Sequence, residues 1–508
     1  MKPSRPFHSL LFIAAAWFQL VSAHCRLVKR GISNDLLLFG TVLTSHGALD
    51  DASVLIQSGK IAYVGDICGL AANRGDLASV VNCTGSAVIS PGFINTHEHI
   101  EYSTVHPLPD IGERVNHRHD WRVGARHHTV RRAPVNGSEA DAIKWGELRH
   151  VFSGTTSIVG GEMAPGLARN LDFVDGLEDG LLDAPVATWD TFPLDDSAGI
   201  LRNGDCDYGP DPISQELALK AHRYMAHIGE GVDSEAANEF ACLSNMTFDT
   251  LPAPGGGGLS TDIISSNLAL VHALGLTPDN YDMIATRGAK VVWSPRSNVY
   301  LYGNTMNVSA LLQREITVAI GTDWLPSGSA TMGREAVCAA SVTKQLYGLE
   351  LEPQTLWEMA TINAAKVAGF EDRIGSIEVG KLADIVIFGG ERKIGSQEID
   401  PFAQVVFAPE EDVELVLRGG KILVATDEIK DLAIGDCEAI NFGKAKKIVC
   451  VADELGSSYL DFQSSLQGVY PAILPGLPTD EPSCEPRRLP QSHDPPSKQN
   501  QEVDLHLS

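Results

Sequence analysis

Apolar residues fall into short runs near both ends of the chain and into longer strand–helix alternations between them. Early on, Leu36-Leu37-Leu38, Val42-Leu43, Val54-Leu55-Ile56, Ile61-Ala62-Tyr63-Val64 and Ala87-Val88-Ile89 are separated by turns. That pattern predicts small antiparallel strands over residues 35–90. It returns at 382–388, 413–417 and 422–424. From Phe93 to about Glu371, apolar strands alternate with helical stretches, which predicts parallel βα units. Eight strands can be ordered there, at 93–99, 155–160, 168–174, 186–192, 225–230, 268–272, 291–294 and 318–323. The expected fold is α/β, a distorted (β/α)8 TIM barrel over residues 91–372. A small β-sandwich is expected from both flanking segments, 35–90 and 373–450. Periodicity fades after Asp453, and residues 471–504 are rich in Pro, Ser and Asp, so 451–508 reads as a largely disordered tail.

The first 23 residues read as a secretory leader. Lys2 and Arg5 precede an apolar run from Leu10 to Phe18, and Val21-Ser22-Ala23 supplies small residues at the cleavage positions. The run is too short to span a bilayer. Sequons at Asn82, Asn136, Asn245 and Asn307 agree with a secreted, glycosylated protein. Nine cysteines include no CxxC pair, which removes zinc ribbons and thioredoxin-like motifs. In an oxidising compartment some should pair, and Cys206 with Cys242 and Cys437 with Cys450 are the expected bridges. The net charge of −26 makes nucleic acid or an anionic membrane an unsuitable partner and leaves a small molecule as the natural one.

Histidine carries the chemistry. His97 and His99 close the first strand, where alternation would point both imidazoles to one side. His227 ends a later strand with Glu230 three residues on, His272 ends the next, and Asp323 ends the last. Barrel enzymes build their sites at these C-terminal strand ends. Imidazoles with a carboxylate form an N/O set suited to zinc, with iron as an alternative.

The chain resembles the amidohydrolase superfamily, and within it the mononuclear cytosine/guanine-deaminase and triazine-hydrolase-like (imidazolonepropionase-like) branch. The matching pieces are Pro91-Gly92-Phe93-Ile94-Asn95-Thr96-His97-Glu98-His99, His227-Ile228-Gly229-Glu230 and Ser294-Pro295-Arg296-Ser297-Asn298. They continue with Gly321-Thr322-Asp323, Ala360-Thr361-Ile362-Asn363-Ala364-Ala365 and Gly375-Ser376-Ile377-Glu378-Val379-Gly380-Lys381-Leu382-Ala383-Asp384, in the superfamily's order over residues 35–425.

The resemblance implies hydrolysis of a non-peptide C–N bond in a small, cyclic or amide-bearing substrate by a metal-activated hydroxide. His97, His99, His227 and Asp323 would hold one divalent metal, Glu230 would shuttle the proton, and His272 would orient the hydroxide or stabilise the oxyanion. Asp323 is also placed to accept a proton. Binuclear relatives use a carboxylated lysine on a middle strand, and no lysine occurs between Trp145 and Leu219, which favours one metal. Deamination and ring or amide opening both stay open, as does a homodimeric assembly. A secreted binding protein that has lost turnover is the other class of reading, and the intact Glu230 and Asp323 speak against it. Trp121, Arg122, Asn298 and Trp324 are the candidate substrate contacts. The loop Asn116-His117-Arg118-His119-Asp120-Trp121-Arg122, with Arg126, His127 and His128, is unusually basic for so acidic a protein. It reads equally as a site for an anionic or polar ligand and as a solvated face paired with acids.

Overall fold

In the computed structural model, the described residues are 24–488 apart from 67–76, 136–137, 179, 251–258, 391–392, 395–396, 477 and 479. The expected leader, Asn136, Cys68 and residues 489–508 of the tail lie outside them. Among the described residues no helix is long and apolar enough to cross a membrane.

Eight parallel strands form the barrel, in two sheets. Phe93–Asn95, Thr155–Ile158 and Arg169–Asn170 make the first. Ala187–Asp190, Arg223–Ile228, Leu268–His272, Lys290–Trp293 and Val318–Ile320 make the second. One seam is bridged by Ala187 N donating to Leu171 O (2.9 Å), and the other by Asp323 N donating to His97 O (2.8 Å). Alternation explains the layers. Ile94, Met225, Ala269, Val271, Val292 and Ala319 share the inner cluster, while their neighbours Phe93, Tyr224, Leu270, Val291 and Val318 pack outward. Helix boundaries follow local chemistry. Ser234–Ser244 starts where the Asp233 carboxylate accepts from Ala236 N, and Pro278–Arg287 starts at Thr277 and stops at left-handed Gly288.

The flanking segments build one eleven-stranded sheet. Its join is Val88–Pro91 paired antiparallel with Ile385–Phe388, Ile385 opposite Pro91. Leu36, Leu38, Val54 and Ile56 of the early segment share a buried cluster with Leu415, Leu417, Ala425 and Ile448 of the late one. The sheet therefore curls over a core of its own, beside the barrel.

The tail departs from expectation. Residues 452–455 and 459–465 are helical, and Tyr459 and Tyr470 are buried. Trp145 Nε1 donates to Tyr470 O (2.6 Å), Arg149 Nε to Pro471 O (2.9 Å), and Arg296 Nη1 to Pro482 O (2.5 Å). Its apolar residues are sparse and unevenly spaced, yet Leu455, Tyr459, Phe462 and Ala472 join the main core, and its carbonyls accept from barrel side chains. Disulfides join Cys206–Cys242 and Cys437–Cys450 as expected, and also Cys25–Cys83 and Cys338–Cys484.

Candidate active site

The first strand stops at Asn95, so His97 and His99 lie just beyond it. Strand alternation from inward Ile94 would have put His97 outside, and it is the turn after Asn95 that brings both rings in. Gly321 makes room for that turn: a Cβ there would stand 2.5 Å from His97 Cβ. His97 and His227 rings lie 5.0 Å apart, His97 and His272 4.8 Å, and His99 and His227 5.5 Å. Asp323 Oδ1 is 3.4 Å from His97 Nε2 and 3.7 Å from His99 Nε2. His272 Nε2 is 3.6 Å from Glu230 Oε2 and 3.9 Å from Asp323 Oδ2.

Each inward nitrogen is set by what holds the other side of its ring. His97 Nδ1 is hydrogen-bonded to Ser294 Oγ (2.8 Å), His227 Nδ1 donates to Asp190 O (3.3 Å), and His272 Nδ1 to Asn298 Oδ1 (3.0 Å). A proton held on Nδ1 leaves the Nε2 lone pair facing the cluster. Burial, followed by the neighbouring imidazoles, holds the His97 and His227 pKa well below the usual histidine value. Both are neutral bases at pH 7, as ligation requires.

His97 Nε2 and His227 Nε2 are buried with no hydrogen-bond partner. Ligand atoms of His97, His99 and His227 lie within 4.8 Å of one another, as do those of His97, His272 and Asp323 and those of His227, Glu230 and His272. Orphaned, converging, deprotonated nitrogens beside a carboxylate fit a divalent metal.

Glu230 is braced from behind. Tyr302 Oη donates to Glu230 Oε1 (2.6 Å), and Trp121 Nε1 donates to Tyr302 Oη (3.0 Å). Burial, then the Glu230 charge, pushes the Tyr302 hydroxyl well above its ordinary pKa, so it stays a donor. The cluster opens into a cavity of about 700 Å³ whose walls include Trp121, Trp324, Tyr102 and Phe192. Trp121 and Trp324 stack with ring centres 5.0 Å apart, and Tyr102 meets Trp324 edge-on.

Of the four candidate substrate contacts, Trp121, Arg122 and Trp324 line this cavity. Asn298 does not. It is fully buried, and its amide joins His272 to Thr305 Oγ1 (3.1 Å), so it orients an imidazole instead of facing substrate. Trp189 packs on His97 and His227, while Trp293 is core. The basic loop is divided between its two readings. Arg118 and His119 are buried on Asp196 (2.5 and 2.9 Å) and His117 on Glu239 (3.1 Å), while exposed Arg126 pairs with buried Asp120 (2.7 Å). Arg122 instead donates to the carbonyl of Ser197 and faces the cavity. Ser294, Tyr302, Arg131 and Arg132 were missed. Ser294 opens the quoted Ser-Pro-Arg-Ser-Asn motif and Tyr302 follows it by four residues, and that proximity was the one available signal.

The amidohydrolase family pattern matches residues 234–423. The chain is 26% identical over 432 residues to 5'-deoxyadenosine deaminase of Methanothermobacter thermautotrophicus, covering 79% of this chain and 95% of the relative. It is 24% identical over 407 residues to 5-methylthioadenosine/S-adenosylhomocysteine deaminase of Moorella thermoacetica, covering 75% and 91%. Among solved structures, an adenosine deaminase from Xanthomonas campestris with bound zinc has the same fold (TM-score 0.55, 20% identity, 77% of this chain and 92% of that one). So does atrazine chlorohydrolase from Arthrobacter aurescens in complex with zinc (TM-score 0.53, 19% identity, 77% and 96%). The chain thus carries the amidohydrolase family pattern over residues 234–423, is similar along most of its length to these deaminases, and shares its fold with the zinc-bound deaminase and triazine-hydrolase structures.

Proposed function

We propose that this C–N hydrolase is a mononuclear zinc enzyme that deaminates an aminopurine nucleoside-type substrate, exchanging a ring C–NH2 for C=O and releasing ammonia. The observation that carries the reading is Glu230, fixed by Tyr302 (2.6 Å) beside the histidine cluster, at the base of an aromatic-walled cavity. The deaminase names of the relatives support the same substrate class.

His97, His99, His227 and Asp323 would hold the metal, which when bound supplies a Lewis acid that lowers the pKa of water towards about 7. The lysine-free stretch from Trp145 to Leu219 supports a single ion. Tyr302 ties up Glu230 Oε1 and leaves Oε2 to take a proton from water and pass it to the ring or leaving nitrogen. His272 Nε2 lies between Glu230 and Asp323, where it can hold the attacking oxygen. Trp324 and Trp121 offer flat faces for a base.

About one zinc per chain and ammonia release from adenosine-type substrates are expected. Glu230→Gln should keep the metal and lose about 10²–10⁴-fold in kcat. Full activity in that variant, or no metal taken up on reconstitution, would sink the reading.

Export is also proposed. Four disulfides suit an oxidising compartment, and Asn82 and Asn245 are exposed. Asn307 is half-buried and caps the helix Val308–Gln313, which makes it the poorer acceptor.

A further inference from the structure

We infer that the tail segment 481–488 is a working part of the reaction centre. Anchored by the Cys338–Cys484 disulfide, it clamps both ends of the helix Pro295–Tyr302, and Glu481 and Cys484 are positioning residues for turnover. This inference rests on the roles given above to Glu230 and His272. It concerns residues far beyond the last of the ordered motifs, which ends at Asp384.

One short helix holds two groups of the reaction centre from behind. Asn298 Oδ1 accepts from His272 Nδ1 (3.0 Å), and Tyr302 Oη donates to Glu230 Oε1 (2.6 Å). Asn298 and Tyr302 are four residues apart, about one turn, so they share a face and any slide of the helix moves both. With 8 residues, the helix has little stability of its own. Whatever fixes its ends therefore fixes the orientation of His272 and Glu230 together.

The tail supplies both fixings. At the start of the helix, buried Arg296 donates to Pro482 O (2.5 Å) and pairs with Glu481 Oε2 (3.2 Å). At its end, the carbonyl of left-handed Gly303 accepts from Arg487 N (2.9 Å) and Arg488 N (3.0 Å). A Cβ on Gly303 would stand 3.1 Å from Arg488 Cγ, so the strap lies directly on the helix end. Arg488 reaches on to Asn116 Oδ1 (2.7 Å) and Val115 O (3.0 Å). These belong to the loop whose Arg118 N donates to Glu230 O (3.0 Å). The strap is itself tied to a second helix, Met332–Tyr347, where Arg334 Nη2 pairs with Glu481 (2.5 Å) and Cys338 is bridged to Cys484. Glu481 is nearly buried and bears both guanidinium groups, so its loss leaves Arg296 without that carboxylate in a place where an unpaired charge is costly. Cys484 lies three residues after Glu481 and three before Arg487. The covalent link thus holds, at its middle, a segment whose two ends grip the two ends of the helix.

The test compares the zinc-loaded full chain with Glu481→Gln and with the pair Cys338→Ser/Cys484→Ser, using adenosine as substrate. Each should lose about tenfold in kcat with KM changed by less than about twofold, because the strap orients the reaction centre and touches no substrate. Glu481→Asp, which keeps the carboxylate, should recover part of the loss. In a chain that already carries Asn298→Ala and Tyr302→Phe, Glu481→Gln should cost less than about twofold more, since the route from strap to reaction centre is cut. Native kcat in both strap variants, a loss confined to KM, or full additivity in that background overturns the inference while leaving the deaminase reading standing. A second measurement needs no turnover. Amide hydrogen exchange over residues 295–303 should be about tenfold faster in both strap variants, with the helix Ser234–Ser244 unchanged. If adenosine releases no ammonia, the deaminase reading falls and this exchange comparison decides the clamp alone. Native exchange over 295–303 in both variants overturns it.

Discussion

His272 owes its place to a backbone conformation that strand alternation would not supply. Leu268 and Leu270 face outward, so His272 would follow them, but φ of +72° at His272 and +51° at Ala273 turns the ring inward. Asp323 has φ of +59°. Non-glycine residues held there cost roughly 1–3 kcal/mol each, a strain that belongs at sites where geometry is used. Asn298 then fixes the ring through Nδ1. Asn298→Ala should lower kcat by about 10–100-fold with little change in KM, because it removes the orientation of His272 and no substrate contact. Falling KM affinity with an unchanged kcat would contradict that assignment. His97, His99, His227, Glu230 and Asp323 were legible because each sits in a short local motif, and His272 because it closes an apolar strand. Ser294, Tyr302 and Arg131 were not, since their roles depend on what packs against them from far along the chain.

At the scale of elements, the eight barrel strands were legible from apolar runs, although most end a few residues earlier than expected. The tail was not, because its core residues are too sparse to show a period and side chains of the barrel and of the late flanking segment grip its carbonyls and amides. Glu410 is one such grip, its Oε2 accepting from Leu474 N (2.7 Å). Burial raises the Glu410 carboxyl from 4.5 to about 7. Because the folded value lies above the unfolded one, its contribution is full below about 4.5 and is lost as pH rises through about 7. Glu410→Gln keeps an oxygen for Leu474 N and removes the titration. Between pH 5 and 8, unfolding free energies measured in denaturant should show the variant losing less stability than the native chain, by about 3 kcal/mol. Parallel pH profiles would count against it.

For the molecule as a whole, the net charge of −26 disfavours nucleic acid and anionic membranes as partners. The export proposal is tested at this scale. Peptide mapping of protein collected from a eukaryotic culture medium should find His24 as the first residue and glycans at Asn82 and Asn245. A secreted chain that begins at Met1, or carries neither glycan, would refute it. The split sheet has a consequence for how the protein is made. Val88–Pro91 pairs along one edge with Leu36–Thr44, and its other edge waits for Ile385–Phe388. At about 5–20 residues per second, the ribosome leaves that apolar edge open for tens of seconds while the whole barrel is translated. An open strand edge invites the wrong partner. The dangerous period for this chain is its synthesis, and whatever holds a nascent chain apart from its neighbours serves it most before the late strands arrive.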